Sequence, residues 1–303
     1  MIRLSRLLLA CLCLPSVAAA QPADTLLAGA EPLARFAEAR ALALDPTGAL
    51  YVVDAGRGVI VQLTPDGLPL ADFGGPGAGE GEFDEPADLD PTTGLLWVVA
   101  DAGNSRLQRF TRTFAHLESL PVHRADAAQP GGAARTVSIG EQAGAGQAGG
   151  RPVAVAVGPS AETFAVDAAQ GVVLKWDASR RLERTIGGYD AGAGTLVDPV
   201  ALAAGEDLLY VADAGQAAVV VYDLFGGYVR TLAPGRAEGV RAVTLTPEAL
   251  WVVLPTRLLV YSRSGRLERA IDVRLDEPLV DVAVRGGALY LLTRTRLLRA
   301  RTS

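Results

Sequence analysis

Leu50-Tyr51-Val52-Val53-Asp54 returns along the chain as Leu96-Trp97-Val98-Val99-Ala100-Asp101, Phe164-Ala165-Val166-Asp167 and Leu209-Tyr210-Val211-Ala212-Asp213. Leu250-Trp251-Val252-Val253 and Leu289-Tyr290-Leu291-Leu292 continue the series without the aspartate. The aromatic positions fall at 51, 97, 164, 210, 251 and 290, with gaps of 46, 67, 46, 41 and 39 residues. The long gap contains Ala125 to Gly150, a Gly/Ala/Gln tract that reads as an inserted flexible loop. Without it the period is steady near 39–46 residues, a repeat length at which each unit buries its apolar face only against its neighbours.

Each period breaks into short apolar runs separated by turn residues. Ala41 to Leu44 is followed by Asp45-Pro46-Thr47-Gly48, and Leu50 to Val53 by Asp54-Ala55-Gly56. Val59 to Leu63 leads into Pro65-Asp66-Gly67, and Leu68 to Phe73 closes the unit. Four strands with Gly/Pro/Asp turns at this spacing describe one blade of a propeller, and no window holds a helical 3.6 period. Nine residues after each aspartate comes a large apolar residue: Asp54 and Leu63, Asp101 and Phe110, Asp167 and Trp176, Asp213 and Tyr222. The second repeat has one extra residue between Trp97 and Asp101, which reads as a bulge.

The fold expected is therefore all-β, a six-bladed β-propeller of four-stranded antiparallel blades over residues 25–303. The blades are placed at 38–82, 83–122, 151–195, 196–236, 237–276 and 277–303, with 123–150 as the flexible insert. The sixth repeat runs out after three strands, while Thr25 to Phe36 has strand character and no place in the first. An open ring would leave an unpaired edge, so residues 25–36 are expected to supply the outer strand of the last blade.

Composition limits the chemistry. The chain has 303 residues, 50% apolar and 20% charged, enough for a large core. Its net charge of −6 argues against nucleic acid as partner. Arg3 and Arg6, then the apolar run Leu7 to Leu14, then Val17-Ala18-Ala19-Ala20 follow the order of a secretory signal peptide over 1–20. A lipid anchor on Cys11 is disfavoured because the apolar stretch before it is so short. Removing 1–20 takes away both cysteines, Cys11 and Cys13, and leaves 26 basic against 34 acidic residues. An exported chain, periplasmic, envelope-associated or extracellular and without a transmembrane segment, is expected.

Certain motifs are similar to a known family. Phe73-Gly74-Gly75-Pro76-Gly77-Ala78-Gly79-Glu80-Gly81-Glu82-Phe83-Asp84-Glu85-Pro86 resembles the linker between NHL repeats. Trp97 to Phe110 and Tyr210-Val211-Ala212-Asp213-Ala214-Gly215-Gln216 resemble the NHL core motif, and Gly187 to Pro199 repeats the linker in degraded form. The resemblance covers roughly residues 32–303, weakening in the last two repeats. It implies a six-bladed propeller but no single activity, because such propellers serve as sensors, binding platforms and, rarely, enzymes.

Asp54, Asp101, Asp167 and Asp213 recur in every one of the first four units, so they are read as structural caps of backbone N–H groups in the turn before the third strand. Glu38, Glu85, Arg151, Asp198, Glu238 and Glu277 stand just before the first strand of each blade. If that strand lines a central channel, five carboxylates with Arg151 as counter-charge meet at one mouth, a hard-oxygen set suited to Ca²⁺ or Mg²⁺. Lactonase-type propellers resemble this chain in placing a metal-binding Glu near such a position but add asparagines, and this chain has only Asn104. Amidating lyases of related shape need a histidine-rich zinc site, against His116 and His123 alone. Tyr189, Phe225 and Tyr228, with Arg241, Arg257, Arg263, Arg266 and Arg269, are candidate interface residues. The reading is a module that binds a protein, peptide or glycan, with no cofactor expected. The alternative is a metal-dependent hydrolase or lyase using the carboxylate ring.

Overall fold

The computed structural model describes residues 24–26, 30–91, 94–123 and 149–301. The signal-like segment 1–20 and most of the insert 123–150 lie outside the described residues. Six antiparallel four-stranded blades form the ring. Blade 1 uses Ala39–Leu44, Leu50–Asp54, Val59–Leu63 and Pro69–Gly74 from the centre outward. Blade 2 spans Pro86 to Pro121, blade 3 Pro152 to Ile186, blade 4 Pro199 to Leu232 and blade 5 Ala242 to Val273.

Blade 6 closes the ring as the sequence implies. Its inner three strands are Leu279–Arg285, Ala288–Thr293 and Arg296–Arg301, and Glu31–Arg35 pairs antiparallel with the third as its outer strand. The start of the segment expected there goes elsewhere. Asp24–Leu26 pairs in parallel with the outer strand of blade 5, adding a fifth strand to that sheet.

The core is divided among the blade interfaces. One apolar cluster lies between each pair of neighbours, six in all. The second and third strands are buried on both faces, so Leu50–Asp54, Thr163–Asp167 and Val172–Trp176 have no exposed residue. Continuous apolar runs rather than clean alternation are what that burial requires.

The extra residue in the second repeat makes no bulge against the third strand. Pairing runs unbroken from Leu96 opposite Thr111 to Asp101 opposite Arg106. Trp97 faces Phe110 as Leu50 faces Leu63, so it takes the place of Leu50, not of Tyr51. A one-residue offset turns a strand side chain to the other face. Trp97 therefore points at blade 1, where it meets Tyr51 with ring centroids 4.1 Å apart.

Removing residues 24–36 exposes the apolar third strand of blade 6 and the edge of blade 5 together. The melting temperature, followed by circular dichroism, should fall by roughly 10 °C or more, on the order of 3–5 kcal/mol. An unchanged melt would show that the ring is closed without this segment.

Candidate functional site

The centre of the ring is set by a short motif in the first strand of each blade. Aligned by their pairing with the second strand, these read Ala41-Leu42-Ala43, Asp88-Leu89-Asp90, Ala154-Val155-Ala156, Ala201-Leu202-Ala203, Ala242-Val243-Thr244 and Asp281-Val282-Ala283. The middle residue packs against the preceding blade and the flanking ones face the following blade, while the inner edge of the strand borders the lumen, where alanine keeps the wall thin. The result is a central cavity of about 1120 Å³ bordered by all six first strands. Leu95, Gly205, Glu206, Pro247 and Arg263 border it on the face carrying the turns that follow the first and third strands.

Three of these twelve alanine-type places hold aspartate, and each aspartate ties one blade to the next. Asp88 Oδ2 accepts the N–H of Val155 at 2.8 Å, and Asp90 Oδ2 that of Val157 at 2.6 Å. Asp281 Oδ2 accepts the N–H of Leu42 at 2.8 Å, joining blade 6 to blade 1. Asp88 and Asp281 also accept the N–H of the following residue in their own strands. Thr244 makes the corresponding tie from blade 5 to blade 6, donating to the carbonyl of Val282 at 2.7 Å. An inner strand has no partner on its lumen side, so its N–H groups need such acceptors.

These carboxylates are held in an unusual state. Burial pushes Asp281 up to about 8, against the opposing pull of the Leu42 N–H, and the charge of Asp88 pushes the same way. Burial likewise raises Asp88 to about 7, with Asp90 adding to the effect. Asp88 is only partly covered, but the space it faces is the confined lumen, walled by protein. Strongly raised carboxylates in a cavity mark candidate functional groups. They were legible only by aligning the repeats, as acids at a place otherwise given to alanine.

The four recurring aspartates have a different role. Asp54 accepts the N–H groups of Ala37 and Glu38, Asp101 that of Asp84, Asp167 that of Arg151, and Asp213 those of Val197 and Asp198. All four are buried. Two also cap the turn before the third strand, through the N–H groups of Ala169 and Gln216. Their main contact, however, is the segment leading into the first strand. Asn104 is absorbed here too, donating to Asp101 at 2.9 Å.

The six charged residues of that leading segment do not share one site. Glu38 pairs with Arg40 at 3.2 Å, and Glu85 with Arg151 at 2.8 Å. Glu277 accepts from the backbone and hydroxyl of Thr295, which hold its carboxyl below the usual range. Asp198 and Glu238 are exposed. Among the described residues, no three His, Cys, Asp or Glu side chains gather in a way that could hold a metal ion. His116 lies on the outer strand of blade 2 against Glu80 and Ser119, and His123 bridges to Gly149. Of the candidate interface residues, Tyr189 and Phe225 are exposed at 95% and 70%, while Arg257 pairs with Asp272 and Arg266 with Glu268. Arg263 lies over Tyr210 and Arg269 over Trp251.

The fold has solved counterparts. The chain is similar to selenomethionine-substituted virginiamycin B lyase from Staphylococcus aureus, at 10% identity and a TM-score of 0.58, over 86% of this chain and 80% of that one. A catalytically inactive histidine-to-alanine variant of that lyase with quinupristin gives 10% identity and 0.59, over 88% and 80%. Hydrazine synthase from Kuenenia stuttgartiensis gives 17% identity and 0.52, over 72% of this chain and 58% of that one. At these identities the likeness is one of fold. No protein-family profile matches the chain, and no curated protein matches it significantly in sequence. No helix among the described residues is long and apolar enough to cross a membrane.

Two outcomes follow from these geometries. Asp213→Ala leaves three part-buried backbone N–H groups, those of Val197, Asp198 and Gln216, without their acceptor, so chemical denaturation should register a loss of about 2–4 kcal/mol. Asp88 and Asp281 hold protons in the folded state that the unfolded chain releases at lower pH, so stability should fall as pH rises from about 4 to about 8. Melting should be higher at pH 5 than at pH 9, and Asp88→Asn with Asp281→Asn should flatten that difference. A melting temperature that rises over this interval would contradict the assignment.

Proposed function

We propose that this protein is an exported propeller of the NHL type that works as a binding module, with the central channel as its ligand chamber. The observation that carries this reading is the cavity of about 1120 Å³ bordered by Asp88, Asp90 and Asp281 among a mainly alanine, valine and leucine wall, with Arg40, Glu206, Arg241 and Arg263 also on its border. Ligand sites are concave, mainly apolar and furnished with a few placed polar groups. A ligand suited to this one brings an apolar body to the wall and hydrogen-bond donors to the carboxylates, as a peptide or a glycan does. Export rests on the signal-like segment 1–20, and the destination is periplasm, envelope or medium.

The alternative, a metal-dependent hydrolase or lyase, draws on the fold shared with the virginiamycin B lyases. One of those structures is catalytically inactive after loss of a histidine. Neither His116 nor His123 borders the channel here, which favours the binding module. A metal role for Glu38, Glu85, Asp198, Glu238 and Glu277 would need Ca²⁺ or Mg²⁺ to gather side chains that now stand apart.

Protein incubated with an envelope extract and examined by native mass spectrometry should retain a bound species. Ala203→Trp, at a half-buried place bordering the channel, should abolish it while the variant still melts cooperatively. Equal retention by both would remove the channel as the chamber. Millimolar Ca²⁺ or Mg²⁺ should leave the melting temperature unchanged, and a rise that Glu85→Gln abolishes would favour the hydrolase reading instead.

A further inference from the structure

Phe114 occupies a backbone position that most blades give to glycine. The turn between the third and outer strands is built alike in blades 1 to 5. Gly67, Phe114, Arg180, Gly226 and Gly265 donate their N–H to Thr64, Thr111, Asp177, Asp223 and Ser262 respectively, and all five have positive φ. Glycine reaches that region freely, whereas a bulky side chain meets steric resistance there. Phe114 holds φ at 58°, so something must favour its ring in this place.

The ring packs in the seam between blades 1 and 2, where its departure would leave a cleft. It stacks on Phe73 of blade 1 with centroids 3.9 Å apart and planes 7° from parallel. It lies 4.9 Å from Trp97, 5.6 Å from Phe110 and 6.2 Å from Tyr51. Tyr51, Trp97 and Phe110 are buried, while Phe73 and Phe114 are half-buried. Phe114 is thus a cap on a surface turn over three buried rings. In the Trp97 ring that it meets, Nε1 is buried and finds no hydrogen-bond partner among the described residues, an arrangement that is rare for a buried donor.

We propose that Phe114 is a displaceable plug, and that with its ring swung out the cleft takes a flat heteroaromatic ligand whose edge acceptor meets Trp97 Nε1. The plug sits outside the paired strands Arg106–Thr111 and His116–Pro121, so it can leave without breaking the blade. The stacked faces of Phe73 and its neighbours then receive the ligand ring, as offset aromatic contacts do. This site is separate from the central channel and stands whether or not the channel binds anything.

The test uses quinoline, which carries a ring-nitrogen acceptor, and naphthalene, which has the same shape without one. The indole N–H proton signal of Trp97, assigned by its loss in Trp97→Phe, is followed by NMR in the intact protein. Quinoline should shift that signal saturably in the wild type, and naphthalene should bind several-fold more weakly. Phe114→Gly, which restores the residue favoured by the turn, should bind quinoline on the order of tenfold more tightly because the plug no longer competes. Phe114→Ala, which removes the plug and leaves the Phe73 face in place, should move affinity the same way and serves if Phe114→Gly does not fold. No response of Trp97 in the wild type, or no gain in either variant, overturns the plug. Equal binding of the two probes overturns the role of the indole.

Discussion

A buried carboxylate that accepts backbone N–H groups from the segment leading into the first strand is the contact on which the first four blades depend. That segment turns sharply from the rim of one blade to the centre of the next, so its N–H groups have no ladder to join. Asp54, Asp101, Asp167 and Asp213 meet them from the end of the second strand. An acceptor bearing full charge makes a stronger bond than a neutral one, and its own desolvation is offset by several donors at once. Blade 6 reaches the same end by reversing the parts. There Thr293 stands in the aspartate's place, and the carboxylate of Glu277, on the leading segment, accepts from Thr295. Conserving the bond while exchanging donor and acceptor sides shows that the bond, rather than the residue, is the requirement.

The same need recurs at the lumen with a different consequence. First strands lack a partner on their inner side, and at two junctions aspartate supplies the acceptor. These acids border a confined lumen walled by protein and lie near one another, so their charged forms are disfavoured. Structural ties between blades are thereby also polar features of the central cavity. The channel walls are mainly alanine, valine and leucine, so these carboxylates, together with Thr244 and the rim residues Arg40, Glu206, Arg241 and Arg263, set its chemistry.

Much of this was readable beforehand, for reasons that differ by element. The blade count followed from Leu50–Asp54 and its returns, since burial between neighbours leaves a periodic trace. The closing strand followed from a sixth repeat one strand short. Trp97 misled because sequence spacing shows an extra residue without saying which face it turns to. The acidic residues before each first strand were expected to meet at one mouth, but short-range partners such as Arg40 and Thr295 engage some of them locally. Asp88, Asp90 and Asp281 went unremarked because acid residues in a strand look ordinary until the strand is known to border a lumen.

The sequence alone determined the architecture, because a repeated pattern of apolar runs and turns can be satisfied only by stacking like units around a closed ring. It also limited the chemistry, through two histidines and a single asparagine. The tertiary structure decided where polar groups converge. Asp281 and Leu42, or Phe73 and Phe114, are brought together by ring closure and blade packing. Convergence of that kind depends on distances across the fold, which no local pattern along the chain encodes.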